Sequence, residues 1–456
     1  MARSIELRLS AGTCPRRPKV HGCPPAFFTR ARVYDRARMV SAFLQRPAAR
    51  SLNGDTGFQT TLASVFLYFV AAGLGTVMLG PALPLLAERW HLVDAQLGAL
   101  FLVTFAGEFV GSWVGARRLG VSLLAGAAGT AVGLFILAFA GFGAAHFVLF
   151  CIGVGLGAGL TAGNVIVGTL DQVAGEERLE DSSRRSSRSR RLALLNLSWG
   201  IGAIACPLWL RSSLVLSHRA VFSFLDGGAG GALFFLGLGA AFLGAAVWIF
   251  RSLPRRFYAT VSTKEIRERL HWQGIWMFAL TFGLYVGVEN ALAGWLLSYA
   301  QRLHPALSAG GASSVAFCFW VCELGGRGVT ALVVKRVDER RFYRGCLAAV
   351  IAVIGVLVFV PHLRMASIYA VTALAAVGLS PIYPMAVSFL LARTGNHPQV
   401  GKVFAGASLG GTILPWLTGV CSTHFADLRV GFAVPGVGAG LILLLARSVQ
   451  RSSSSQ

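Results

Sequence analysis

The chain consists largely of long apolar stretches separated by short charged or Gly- and Pro-rich breaks. Most of these stretches exceed the roughly 18 residues that an α-helix needs to cross about 30 Å of hydrocarbon. A soluble domain has no place for so many of them, so each is predicted to span a membrane. The predicted spans 1 to 12 cover residues 59–86, 97–116, 121–141, 146–170, 193–216, 231–250, 274–299, 313–334, 346–363, 367–391, 401–422 and 431–446.

The composition agrees with this interpretation. Of 456 residues, 55% are hydrophobic and only 13% are charged, whereas about a quarter of the residues in a soluble domain carry charge. Water therefore cannot be the solvent for most of the chain. The sequence predicts an all-α, multi-pass protein surrounded by lipid, in the cell membrane.

Basic residues alternate between the predicted loops. The formal net charge of +22 suggests nucleic-acid binding, but the basic runs contain no interleaved aromatic side chains. They lie instead in every second connection, where the positive-inside rule places cytoplasmic loops. The sequence therefore predicts cytoplasmic termini and no nucleic-acid partner. The opposite loops hold only Arg89, Arg211, Arg219, Arg302, Arg364 and Arg429.

The regions outside the spans are short. Residues 1–57 are basic and rich in Pro and Ala, and are predicted to be a disordered tail. Two cysteines near one histidine in this tail lack the paired spacing of a zinc module, so no metal site is predicted. The predicted organisation is a first bundle over 58–250, a cytoplasmic linker over 251–273, a second bundle over 274–446 and a tail over 447–456.

An internal repeat relates the two halves of the chain. Span 5 contains Gly202 followed five residues later by Pro207, and span 11 contains Gly410 followed five residues later by Pro415. A parallel duplication of six helices places a polar cavity between the two units, near the middle of the membrane. The repeat therefore predicts two pseudo-symmetric six-helix bundles and favours alternating access over a static pore.

Spans 2 and 8 carry a second match. Glu108 lies three residues before Gly111, and Glu323 lies three residues before Gly326. Burial of a charge in a bilayer is costly, so these acids are candidates for function. Glu323 and Arg327 are four residues apart and are predicted to pair on one helix face, either as a gating element or as a purely structural ion pair. Glu108 is a candidate ion-coupling residue.

Glu289 in span 7 has no cation near it in the sequence. Desolvation penalises the charged form of such a carboxylate, so Glu289 is predicted to bind a proton or help to hold a sodium ion. Tyr285 lies one turn earlier on the same face, Asn290 is adjacent, and Trp295 lies about 120° around the helix. Together with Glu289 they are predicted to contact the substrate, Trp295 by stacking on it. The alternative is that Glu289 only forms a hydrogen bond to a neighbouring helix.

Four further polar or aromatic residues are candidate substrate contacts. Asn164 lies in span 4, and Asn196 and Trp199 open span 5. Tyr383 lies between Pro381 and Pro384 in span 10, where the prolines predict a broken or bendable helix. Freed carbonyls at such a site are either buried in protein or line an aqueous cavity, so span 10 is predicted to form a gate or a wall of the substrate cavity. Helix packing is the alternative for Asn164, and interfacial anchoring for the aromatic residues.

Several of these segments resemble a known family. The run from Tyr285 to Asn290, followed by Gly294, Trp295 and Tyr299, resembles helix seven of the fucose-permease-like branch of the major facilitator superfamily. That branch includes sugar/proton symporters and sodium-dependent glucose carriers. The resemblance implies the major facilitator fold and cation-coupled uptake of a sugar through a central cavity. It extends to Gly75–Pro84, Gly155–Asn164, Gly202–Pro207, Gly326–Arg327 and Ser380–Pro384.

The chain also departs from that branch. Fucose permeases carry an acid shortly before the asparagine of helix four, whereas residues 159–164 here contain none, and span 1 contains neither Asp nor Glu. Coupling through those positions is therefore not expected. Glu289 or Glu108 would have to take this role.

The predicted function is secondary transport of a small polar solute, with a sugar as the favoured class. Export of drugs, lipids or metabolites is the alternative within transport, and a membrane sensor is the alternative outside it. An enzyme is not expected, because the nine histidines are scattered and no nucleophile lies with a base. No cofactor is predicted, and the protein is expected to be a monomer.

Overall fold

The computed structural model describes residues 55–173, 181–217, 231–254, 257, 275–333, 336–394, 403 and 406–451. Residues 1–54 of the predicted tail and residues 255–256 and 258–273 of the predicted linker lie outside them. The helices in chain order are α1 (Asp55–Val77), α2 (Leu79–Trp90), α3 (Asp94–Gly115), α4 (Leu119–Leu137), α5 (Phe142–Val173), α6 (Asp181–Ser217), α7 (Ala232–Ser252), α8 (Trp276–Leu303), α9 (Ala309–Val333), α10 (Glu339–Phe359), α11 (Met365–Leu379), α12 (Ile382–Thr394), α13 (Ala407–Phe425), α14 (Leu428–Gly431) and α15 (Ala433–Arg451).

Each predicted span is mostly helical over the residues that the structure describes. Spans 1, 10 and 12 are each divided between two helices, namely α1 and α2, α11 and α12, and α14 and α15, and the other nine correspond to one helix each. Ten helical stretches among the described residues are long and apolar enough to cross a membrane. The helices outside that group are the short α2, the Gly-rich α13, and α9, which carries Glu323 and Arg327. We call α1–α7 the first half and α8–α15 the second half.

Prolines determine where two of the spans break. In span 10, α11 ends at Leu379 and α12 begins at Ile382, and the helical bonding resumes where Met385 N–H donates to the Pro381 carbonyl at 3.1 Å. Span 1 breaks at Met78, which the sequence analysis did not predict. Pro81 has no N–H to donate to the carbonyl of Val77, so the helical ladder is interrupted there.

Equivalent helix pairs pack closely in the two halves. A Cβ on Gly202 of α6 would lie 2.0 Å from the Val70 carbonyl oxygen of α1. A Cβ on Gly410 of α13 would lie 1.5 Å from the Gly283 carbonyl oxygen of α8. Only glycine permits both approaches. Spans 1 and 5 therefore meet as spans 7 and 11 do, as the repeat predicts.

The two ends of the helical bundle differ. We call the end with connections 91–93 and 304–308 the sealed end, and the end with Arg117, Arg118, Arg251 and Arg340 the basic end. The halves pack against each other through α2 on α8, α3 on α13 and α6 on α9. Gly98 of α3 lies against the backbone of Trp416 near the sealed end. The contact of α3 with α13 reaches inwards to Phe105 against Gly411.

Candidate functional site

An ionic cluster lies where α8 meets α9. On α8, the Tyr285 hydroxyl donates to Glu289 Oε1 at 2.8 Å, because the two residues are one helical turn apart. On α9, Arg327 Nη2 lies 2.6 Å from Glu323 Oε1, and this pairing confirms the sequence prediction. The same nitrogen lies 3.5 Å from Glu289 Oε1. The cation that Glu289 lacks in the local sequence is therefore supplied by the next helix.

The cluster contains more acid than base. Glu289 and Glu323 are 6% and 1% exposed, and both face a single guanidinium. If both carboxylates are ionised, the group of three carries a net charge of −1, and a buried uncompensated charge is costly. The cluster can therefore take up a proton or another cation. Arg327 Nε is also buried and has no hydrogen-bond acceptor among the described residues.

Aromatic side chains pack beside this cluster at the break in span 10. Tyr383 of α12 is half-buried, and its ring centroid lies 5.1 Å from that of Phe282 and 5.5 Å from that of Tyr285. Asn290 is half-buried next to Glu289, and its amide donates to the Val286 carbonyl of its own helix at 2.8 Å. Four of the predicted site residues, Tyr285, Glu289, Asn290 and Tyr383, therefore lie together.

Two tryptophans meet across the halves. Trp199 of α6 packs edge-on against Trp320 of α9, with ring centroids 5.6 Å apart. Gly200 next to Trp199 contacts Leu324 in the same region, where a Cβ would lie 2.7 Å from the Leu324 side chain. The sequence analysis singled out Trp199 but missed Trp320, because no local pattern distinguishes that residue from other aromatic residues of the spans.

The remaining predicted residues lie apart from the cluster. Asn164 and Asn196 are exposed, and each donates its amide to the carbonyl four residues earlier, those of Leu160 and Leu192. Glu108 is half-buried on α3, and none of the ion pairs among the described residues includes it. Their roles in substrate binding and coupling stay predictions.

Trp295 is completely buried. Its indole N–H donates to the Pro415 carbonyl at 3.0 Å, which joins α8 to α13 within the second half. Its predicted stacking on a substrate stays a prediction, and Trp295 is not included in the site proposed below.

A second polar group, at the sealed end, joins the two halves. Asp94 at the start of α3 accepts hydrogen bonds from Arg302 at the end of α8 and from Ser422 of α13. The adjacent Ala95 N–H donates to Thr423 Oγ1 at 2.8 Å. The sequence analysis missed this group, because 208 positions separate Asp94 from Arg302.

Among the described residues, no three His, Cys, Asp or Glu side chains come together in a way that could hold a metal ion.

The sequence matches none of the protein-family models. It is 22% identical, over 397 residues, to bypass of stop codon protein 6 of Saccharomyces cerevisiae, an alignment that covers 78% of this chain and 75% of the relative.

Solved structures resemble the chain over most of its length. A bacterial homologue of the human lysosomal transporter Spinster, in its inward-facing and unoccupied conformation, has a TM-score of 0.66 at 15% identity, covering 88% of this chain and 99% of that one. The major facilitator transporter FucP in its outward conformation has a TM-score of 0.55 at 19% identity, covering 86% and 98%. A D-xylose-proton symporter has a TM-score of 0.62 at 12% identity, covering 85% and 96%.

The chain therefore has the fold of the major facilitator superfamily, an all-α fold of two pseudo-symmetric six-helix bundles. The predicted fold class is confirmed. The protein is a multi-pass membrane protein with an ionic cluster in its second half and a polar contact between the halves at one end.

Proposed function

We propose that this protein is a secondary active transporter that moves a small polar solute of the sugar class by alternating access. The observation that carries the proposal is the ionic cluster of Glu289, Glu323 and Arg327. Charged groups inside spanning helices are costly, and they are typical of solute and ion pathways. A fold in which two bundles rock about a central cavity gives such a cluster access to each side in turn.

The positions of the aromatic and polar residues support a solute with both hydroxyl groups and an apolar face. Tyr383 and Tyr285 offer ring faces next to the Glu289 carboxylate. A pyranose ring matches this combination, since its hydroxyl edge can bond to a carboxylate while its C–H face packs on an aromatic ring. The solved D-xylose-proton symporter of the same fold agrees with this class of solute.

The charge balance of the cluster supports coupling to a cation. A proton or a sodium ion bound by Glu289 would remove the uncompensated negative charge and weaken the attraction of Glu289 for Arg327. The Arg327 guanidinium, 3.5 Å away, would then be free to bind Glu323 alone or a hydroxyl of the solute. Loading of the cation would thereby change the site that the solute meets.

We place the basic end in the cytoplasm, with both termini, according to the positive-inside rule. The packing at the sealed end then supports a state that is closed to the outside. Near the basic end, α5 packs on α1, α3, α4 and α6, and α12 packs on α8, α10, α11 and α15, so each packs within its own half. Separation of these helices would open the cavity to the cytoplasm.

The remaining parts of the proposal follow from the same assignment. The two bundles would cover residues 58–250 and 274–446, joined by a cytoplasmic linker, in a monomer of the cell membrane. Asn164 and Asn196 would contact the solute from the first half, where both are exposed.

Transport by purified protein in liposomes tests the proposal. A thermal-shift screen of sugars, nucleosides and amphiphilic drugs selects the solute, and its radiolabelled form is then supplied under a pH or sodium gradient. We expect the wild-type protein to accumulate the solute, and Glu289→Gln to accumulate no more than liposomes without a gradient, because the amide cannot take up the cation.

The matched control is Glu88→Gln, which changes an exposed carboxylate outside the cluster and is expected to transport normally. Gradient-driven accumulation by Glu289→Gln with the wild-type pH and sodium dependence would eliminate the coupling role. A response only to amphiphilic drugs would replace the sugar by an exported amphiphile.

A further inference from the structure

The polar contact at the sealed end is concentrated on one carboxylate. Asp94 Oδ2 accepts from Arg302 Nη1 at 2.7 Å and from Ser422 Oγ, while Asp94 Oδ1 accepts from Arg302 Nη2. Asp94 is 7% exposed. Bidentate pairing with a guanidinium is among the strongest and most specific hydrogen-bonded arrangements of a carboxylate. Both Asp94 oxygens are therefore occupied by residues of the opposite half.

The backbone around Asp94 also contacts α13 closely. Gly419 of α13 lies against Asp94, and a Cβ on Gly419 would be 2.3 Å from the Asp94 carbonyl oxygen. The Ala95 N–H lies in the first turn of α3, where backbone N–H groups lack intrahelical acceptors. Thr423 supplies that acceptor from α13. The start of α3 is thus completed by α13.

This contact differs from the other ion pair at the same end. Asp427 pairs with Arg429 at 2.7 Å, and both residues lie in the second half. Movement of one half relative to the other leaves the Asp427 pair intact, whereas it must break the bonds of Asp94. The sealed end cannot open until Arg302 and Ser422 release this carboxylate.

One helix connects this contact to the ionic cluster. Glu289 and Arg302 both lie on α8, thirteen positions apart and thus about 20 Å along the helix axis. A tilt of α8 when the site is loaded or emptied would move Arg302 relative to Asp94. The cluster and the contact at the sealed end would then change together.

We propose that Asp94, bound by Arg302 and Ser422, is a latch that holds the sealed end closed, and that its release determines when the site opens to that side. The inference rests on the proposed alternating access. Without the latch, the balance between the two access states shifts towards the one that is open at the sealed end.

Hydrogen–deuterium exchange of the full-length protein in lipid nanodiscs tests the latch without any solute. We expect Asp94→Asn to accelerate exchange at the Ala95 amide and in peptides from 92–100 and 416–425, because an asparagine amide cannot replace the charged acceptor of Arg302. Exchange in α7 and α10 is expected to stay at the wild-type rate. Asp427→Asn is the matched control and should leave the Ala95 amide protected.

A double variant that exchanges the charges of Asp94 and Arg302 distinguishes loss of the ion pair from general destabilisation. We expect Asp94→Arg combined with Arg302→Asp to restore protection at Ala95, because the pair is re-formed with its polarity exchanged. The latch is refuted if the Ala95 amide of Asp94→Asn exchanges at the wild-type rate, or if Asp427→Asn accelerates this exchange as much as Asp94→Asn does. It is also refuted if Asp94→Asn accelerates exchange in every helix and the charge reversal does not restore the wild-type rates.

Hydrogen–deuterium exchange tests the latch, whereas solute uptake tests the proposed function, so the two can fail independently. If Asp94→Asn opens the sealed end but no gradient drives uptake of any solute by the wild-type protein, the latch stands and the proposed function fails. If uptake occurs but exchange at Ala95 does not respond to Asp94→Asn, the function stands and the latch fails.

Discussion

Glu108 and Glu323 occupy equivalent positions in the two halves, but their surroundings differ. Each lies three residues before a glycine at which a neighbouring helix approaches closely. A Cβ on Gly111 would lie 2.1 Å from the Val154 carbonyl oxygen of α5, and one on Gly326 would lie 2.4 Å from Ser380 Oγ at the end of α11. Four residues after Glu323 comes Arg327, and at the corresponding position of the first half comes Ser112.

The two halves share their close helix packing but differ in their buried charges. Both halves have the glycines that allow close helix packing, so equivalent helices pack in the same way in each half. Among the described residues, only the second half has a guanidinium that binds two buried carboxylates, while Glu108 is half-buried. The charge-dependent step of transport is therefore expected in the second half, and the first half is expected to supply mainly uncharged contacts.

The largest expected effect is on stability at Arg327. Arg327→Met leaves Glu289 and Glu323 buried without their cation, and removal of one partner from a buried ion pair costs about 3–5 kcal/mol. The equivalent change in the first half, Ser112→Ala, removes only a 3.4 Å hydrogen bond to the Gly157 carbonyl and should stay within about 0.5 kcal/mol of wild type. Thermal unfolding in detergent measures both variants.

A double variant sharpens this comparison. Glu323→Gln combined with Arg327→Met removes one acid along with the cation, so we expect it to unfold at a higher temperature than Arg327→Met alone. Equal melting temperatures of the single and double variants would show that the pair does not stabilise the second half through its charges.

A smaller effect is expected at the close helix contacts. Gly410→Ala places a methyl group against the Gly283 carbonyl and Gly202→Ala places one against the Val70 carbonyl, and such overpacking costs about 1–3 kcal/mol. We expect the greater loss of melting temperature for Gly410→Ala, where the approach is tighter. Gly355→Ala in α10 is the control, because no atom lies within 4 Å of the added Cβ. Wild-type melting of both packed variants would contradict the close approach.

The smallest expected effect is at the start of α10. Asp338 Oδ1 accepts from the N–H groups of Arg341 and Arg340, and these bonds, that of Arg341 first, hold the pKa of this exposed carboxyl below its ordinary value. The equivalent helix of the first half, α4, has Arg118 at its N-cap, and the Arg118 side chain makes no capping hydrogen bond. Asp338→Ala should therefore lower the melting temperature slightly at neutral pH, whereas Arg118→Ala should not.

The pH dependence of this difference follows from the lowered pKa. A carboxyl whose folded-state pKa lies below its unfolded-state value stabilises the fold above the unfolded value of about 3.9, and this stabilisation is lost as the pH falls through the folded-state pKa. The difference between wild type and Asp338→Ala should therefore shrink in acid. A difference that persists at low pH would contradict a role for the ionised cap.

Local features of the sequence were sufficient for much of the architecture. Hydropathy, together with the charged and Gly- or Pro-rich breaks, located the twelve predicted spans, since the cost of burying backbone and side chains in lipid acts on each segment separately. Helical spacing predicted the Glu323–Arg327 pair and placed Tyr285 one turn before Glu289. The prolines of span 10 predicted its break, but the break of span 1 at Met78 was missed even though Pro81 was visible in the sequence.

Contacts between helices could not be predicted in this way. The approach of Arg327 to Glu289, the Trp199–Trp320 contact and the bond from Trp295 to Pro415 each depend on how two helices are rotated and offset. A hydropathy pattern contains the length and the apolar character of a helix, but it does not contain those two variables. The bond from Trp295 to α13 was missed for this reason, and the substrate role of Trp295 stays a prediction.

By itself, the sequence determined that the chain is an α-helical membrane protein built from two related halves, because lipid requires every spanning backbone group to be satisfied within its own helix. Only the tertiary structure decided which acids share a cation and which residues join the two halves at one end. Those outcomes depend on pairs of side chains from distant segments, such as Asp94 and Arg302. The interaction within such a pair becomes favourable only when packing holds the two side chains within a few ångströms of each other.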